Sequence, residues 1–143
     1  MTITGHAVAA HLVQGHPAIR IVWGIVSHWI LDETLHEHRP QGLHVTDPAT
    51  WTEHWKWLAW QVAGPLLFVL ATGDWWAIVY GMIPDIVDGV WIAINKLRGR
   101  DVWMSGDMIA HLPLPFLRTW SLTATQNVSI ELLAVAVLAR AAL

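Results

Sequence analysis

The chain has 143 residues, 55% of them apolar and only 13% charged, with a formal net charge of −3 and no cysteine. That length fits one domain with a buried core, and the missing thiols exclude disulfides and thiolate metal sites. The acidic excess, with no basic run beyond Lys96-Leu97-Arg98-Gly99-Arg100, argues against nucleic-acid binding.

Charged residues are at about half their usual share in soluble domains. Eleven tryptophans stand against one tyrosine and two phenylalanines. Trp favours the water–lipid interface, where its ring is apolar and its N–H wet, so a helical integral membrane chain is expected. No basic n-region precedes an apolar core and a small-residue cleavage site, so no removable signal peptide is expected.

Ile3 to Val13 reads as a first helix, with Thr2 or Thr4 as N-cap and Gly15-His16-Pro17 as the break after it. It carries His6 and His11, five residues and thus ~140° apart around the helix, so they face different surroundings. His6, flanked by small residues, is the one expected to face a site; His11 and His16 are expected at an interface.

From Pro17 to His38, apolar residues at helical spacing predict one long second helix, ending near Arg39-Pro40-Gln41-Gly42. A third starts at Asp47-Pro48 or at the overlapping capping box Thr50-Trp51-Thr52-Glu53. His54 is read there as part of an aromatic belt with Trp51, Trp55, Trp57 and Trp60. Trp57 to Gly73 holds no charge, only Gln61 and the kink-prone Gly64-Pro65, and is the best single candidate for a membrane span.

A fourth helix is predicted from Trp75 to about Leu97, kinked at Pro84. Asp85 and Asp88 share one face of it, and two carboxylates in an apolar helix need a cation. Lys96, Arg98 and Arg100 after it mark the expected cytoplasmic end. Trp103 to His111 predicts a short element with Asp107 and His111 at i, i+4, and Asn127 or Ser129 is expected to cap a last helix through Leu143. There is no repeat, no phosphate-binding glycine loop and no Gly-x-Ser-x-Gly elbow.

The densest set of metal-capable side chains lies in Ser27-His28-Trp29-Ile30-Leu31-Asp32-Glu33-Thr34-Leu35-His36-Glu37-His38. His28, Asp32 and His36 at i, i+4, i+8 form a stripe that drifts ~40° per step. His28 and His36 are ~12 Å apart along the axis, too far to share one ion. Asp32 between them suits one metal shared with His28, or a bridge between two metals ~3.5–4 Å apart. Other segments must supply further ligands.

These residues resemble a group of small bacterial membrane-bound metal-dependent hydrolases, distantly similar to zinc-dependent phospholipase C. The resemblance rests on the early His6, on Ser27-His28 with Asp32 and His36, on Pro84-Asp85 with Asp88, and on a later Asp107 or His111. It implies an all-helical protein of the bacterial inner membrane with a His and Asp site for zinc. Members often carry a His-Arg pair late in the chain, whereas here His38-Arg39 precedes the Pro-Asp segment.

The sequence thus predicts an all-α, compact bundle of about five helices, integral to the membrane and forming a single domain over residues 1–143. Its site is built from His6, His28, Asp32, His36, Asp85 and Asp88, completed by Asp107 or His111. His and carboxylate ligands suit one or two Zn²⁺ ions, or Mn²⁺ or Fe²⁺. Metal-activated water would attack a phosphoester or ester, a small molecule or a lipid, at the bilayer, with Glu33 or an unliganded aspartate as base. The alternatives are a metal-stabilised membrane scaffold and a haem-binding bundle.

Overall fold

The computed structural model describes residues 2–34, 48–100 and 123–141. Among these the protein is all-helical, with six α-helices: α1 (Ile3–His11), α2 (Pro17–Thr34), α3 (Trp51–Thr72), α4 (Trp75–Gly81), α5 (Ile83–Leu97) and α6 (Ala124–Ala141). A single 3₁₀ turn, Pro48–Thr50, leads into α3. The expected element Trp103–His111 and the expected extension of α2 to His38 lie outside the described residues.

The short α1 is the axis of the bundle, with α2, α3, α4 and α6 all packed on it. Its composition allows this. Thr4, Gly5, Ala7 and Ala10 are buried alongside His6, and residues as small as these four let neighbouring helices approach from several sides. Ala7 and Ala10 join Phe68 of α3, Ala77 of α4 and Val135 of α6 in the apolar core. The closest approaches fall at glycines. A Cβ on Gly24 of α2 would run into the Tyr80 carbonyl, and one on Gly81 of α4 would lie 2.6 Å from the His6 carbonyl oxygen.

Side chains fasten the ends. The His16 ring accepts from Ala18 N–H at 3.2 Å and so caps α2, and Trp23 Nε1 donates to Ala9 O at 2.8 Å, tying α2 to α1. Gly73, at φ 68°, closes α3 in the left-handed conformation that a residue without Cβ adopts at least cost.

Three expectations are corrected. The fourth helix is two, because the chain leaves helical geometry at Met82, and Pro84 serves in the first turn of α5 instead of kinking a continuous helix. A proline there loses an N–H that has no intrahelical partner in any case. In α3 the backbone departs from helix at His54, not at Gly64-Pro65. The last helix begins at Ala124, with Thr123 and Gln126 forming a reciprocal capping box: Thr123 Oγ1 accepts from Gln126 N–H at 3.2 Å, and Gln126 Oε1 accepts from Thr123 N–H at 2.9 Å. Asn127 is therefore inside the helix, fully buried.

Among the described residues no single helix is both long and apolar enough to cross a membrane; only the bent pair α4–α5, turned by 61° at its break, passes on length and composition. The uncharged run from Trp57 to Gly73 is not a helix of its own. It is the greater part of α3, whose first turns add Glu53, His54 and Lys56.

Candidate metal centre

His28 and Asp32 lie on one face of α2, one turn apart, and that face meets α1 where His6 is buried. Asp32 engages both rings: its Oδ1 lies 3.2 Å from His6 Nε2 and its Oδ2 lies 3.2 Å from His28 Nε2. The two rings stack with centroids 4.0 Å apart and planes 20° from parallel. One ligand atom from each of His6, His28 and Asp32 falls within 4.8 Å of the others, and all three residues are buried.

Backbone contact orients the His28 ring. Nδ1 faces the Gly81 carbonyl oxygen at 2.7 Å, and since a carbonyl can only accept, Nδ1 carries the proton. In the neutral ring Nε2 then presents a lone pair, the form that binds a metal. That atom is fully buried, has no hydrogen-bond partner among the described residues, and sits beside a carboxylate oxygen. Two acceptors turned on each other repel unless a positive charge lies between them, and either a proton on Nε2, donated to Asp32, or a bound cation meets that requirement.

Asp85, in the first turn of α5, places Oδ1 3.6 Å from His28 Nε2 with its side chain 35% exposed, so it forms the open side of the cluster. Asp88 is buried one turn further along α5 but does not join the close group of ligand atoms. His36, Asp107 and His111 lie outside the described residues, as does the Glu33 side chain. The structure thus joins His6, His28, Asp32 and Asp85 from three helices.

His11, on the other side of α1, belongs to a separate cluster. Its Nδ1 lies 2.8 Å from Asp74 Oδ2, and Arg20 donates to the same oxygen while its guanidinium stands 5.0 Å from the centre of the Tyr80 ring. Asp74 also caps α4 by accepting from Ala77 N–H at 3.2 Å. Burial alone would raise the Asp74 carboxyl, but hydrogen bonds from Arg20 and His11 outweigh it and bring its pKa from 3.8 down to about 2. A depressed carboxylate stabilises the fold fully above its unfolded pKa and loses that contribution as pH falls. Denaturant unfolding across pH is therefore expected to show a loss of stability between about pH 4 and 2 that Asp74→Asn abolishes; equal acid sensitivity in the two proteins would disprove the assignment.

Sequence reasoning passed over Glu131, a fully buried carboxylate in α6. The signal was present: a lone acidic residue in the otherwise apolar run from Ile130 to Ala139.

No protein-family profile, curated protein or solved structure matches the chain.

Proposed function

We propose that this protein is a membrane-embedded, metal-dependent hydrolase of a phosphoester or ester, with His6, His28 and Asp32 as ligands and Asp85 at the open side. The observation that carries the reading is the buried cluster in which one carboxylate, Asp32, faces the rings of both His6 and His28, with one ligand atom of each residue within 4.8 Å of the others. Three N and O ligands without thiolate suit Zn²⁺, with Mn²⁺ and Fe²⁺ as the other candidates. Zinc with a fourth position open would lower the pKa of its bound water toward ~7 and polarise a phosphoryl or acyl oxygen.

The residues divide the remaining work. Gly81 O fixes the tautomer and orientation of His28, and Asp32 orients both rings. Asp85, partly exposed and close to His28, is placed to take a proton from water entering at that side. This openness favours hydrolysis over a purely structural ion, whose coordination is closed. The stacked rings of His6 and His28 point side by side at Asp32, an arrangement unlike the opposed axial ligands of a haem.

The membrane reading is supported by an inverted distribution of polarity. Ile19, Val22, Val62, Leu66, Leu70 and Val90 are exposed, while His28, Asp88, Asn95, Asn127 and Glu131 are buried. Water-soluble domains place charged side chains the other way round. An apolar recess lined by Val13, Ile19, Val22 and Val26 runs along α2. By length and composition only the bent α4–α5 pair passes as a candidate span among the described residues, and α3, interrupted at His54, is not long and apolar enough to cross a bilayer alone. Exposed Trp51 and Trp55 stand near one end of α3, with Trp75 and Trp76 just past the other, as interfacial tryptophans would. The resemblance to inner-membrane hydrolases points to the same compartment.

Elemental analysis of detergent-purified protein, followed by a screen of aryl phosphoesters and esters, tests the proposal. About one zinc per chain is expected, with hydrolysis that chelation removes and zinc restores. His54→Ala, in α3, which supplies none of these ligands, is expected to keep its metal. A wild-type protein that holds no metal after reconstitution with zinc, manganese or iron would overturn it.

A further inference from the structure

The first turn of α1 is capped from elsewhere in the chain. Thr2, at its N-cap position, makes no side-chain hydrogen bond to the helix. Its hydroxyl donates instead to Glu131 Oε1 of α6, and Gly5 N–H donates to the same oxygen at 3.1 Å. Ile3 N–H donates to Gln61 Oε1 of α3 at 3.3 Å. Two of the orphan amides that open a helix are thus satisfied by side chains of α3 and α6.

Glu131 is itself held on several sides. Trp60 Nε1 donates to Oε2 at 2.6 Å and Asn127 Nδ2 to Oε1 at 3.3 Å. The residue is 1% exposed, so its carboxylate depends on these donors and on the positive end of the α1 dipole. Such a carboxylate locks three helices in one relative position.

The residue after Gly5 is His6. An atom ~5 Å from a helix axis moves by about 2 Å when the helix turns by ~20°. Metal–ligand distances tolerate about 0.2 Å. Whatever fixes the rotation of α1 therefore fixes whether His6 can share an ion with His28 and Asp32.

We propose that Glu131 is a positioning residue for the metal centre, gripping the first turn of α1 so that His6 Nε2 meets Asp32. The proposal rests on the reading of His6 as a ligand. It assigns a role in the site to a residue of α6, which supplies no ligand among the described residues.

Zinc affinity, measured by competition with a chelating dye, and the visible spectrum of the cobalt-substituted protein test it together. Glu131→Ala is expected to weaken zinc by about 10–100-fold, the usual effect of removing an orienting partner of a ligand. The cobalt bands are expected to shift as coordination changes. Glu131→Gln keeps an oxygen for Gly5 N–H and Thr2 but turns an amide nitrogen on the Trp60 N–H, and is expected to recover part of the affinity. Val135→Ala, in the core of the same helix, should lower thermal stability while leaving zinc affinity and the cobalt spectrum unchanged.

A helical Glu131→Ala protein with wild-type affinity and spectrum would overturn the proposal. If that variant does not fold, Thr2→Val decides: a severalfold weaker affinity supports it and an unchanged one overturns it. His6→Ala separates the two levels. Wild-type zinc affinity in that variant would remove His6 as a ligand, and the role of Glu131 with it; loss of zinc in His6→Ala but not in Glu131→Ala would remove the positioning role alone.

Discussion

Asp32→Ala is expected to take zinc from about one ion per chain to nearly none, because it deletes the carboxylate that, among the described residues, faces both histidine rings. Two histidines from different helices would remain, with no anionic ligand between them. The metal-free fold is expected to lose about 1–3 kcal/mol as well, since the buried His6 ring gives up its carboxylate neighbour. Asp32→Asn separates these effects by keeping the shape and one oxygen while removing the charge, so metal should be lost with a smaller change in the metal-free stability. Elemental analysis and thermal unfolding on the same samples would check both. Full zinc content in both variants would place the ion elsewhere.

Gly81→Ala is expected to damage the fold and the site together. The added Cβ would lie 2.6 Å from His6 O, 2.8 Å from His6 C and 3.2 Å from His6 Cβ, so α1 and α4 would have to part. The neighbour is backbone and cannot rotate away. Over-packing of this kind costs about 1–3 kcal/mol. The same glycine gives its carbonyl to His28 Nδ1 at 2.7 Å, so parting the helices shifts both histidines against Asp32. In wild type, added zinc should raise the unfolding temperature by binding only the folded form; in Gly81→Ala that rise should shrink or vanish. An unchanged temperature with an undiminished zinc response would refute the close packing at Gly81.

The part of the site lying within one helix was legible in the sequence, since His28 and Asp32 at i, i+4 must share a face of α2. His6 was separable from His11 by the same geometry, and the structure sets one against Asp32 and the other against Asp74. What joins Asp85 to them depends on the angle between α4 and α5, which hydropathy does not encode; Pro84 read as a kink when it opens a new helix. The Thr123–Gln126 box is written in the sequence, but Asn127 and Ser129 just after it are equally cap-forming residues. Their rivalry is settled by burial, since Asn127 lies against Glu131 inside the bundle. The role of Glu131 had no local pattern to find, because its donors Gly5 and Thr2 come from 126 and 129 residues away.

That separation bears on how the protein is made. At synthesis rates of about 5–20 residues per second, roughly 6–25 s pass between the emergence of Gly5 and that of Glu131. Throughout that interval α1 is a nine-residue segment, shorter than isolated helices that persist in water, and its first amides have no acceptor from α6. The helix that carries His6 is thus completed only once Glu131 has been synthesised, and a ribosome stalled between residues 85 and 131 would hold a nascent protein whose candidate ligands are all translated but not yet aligned.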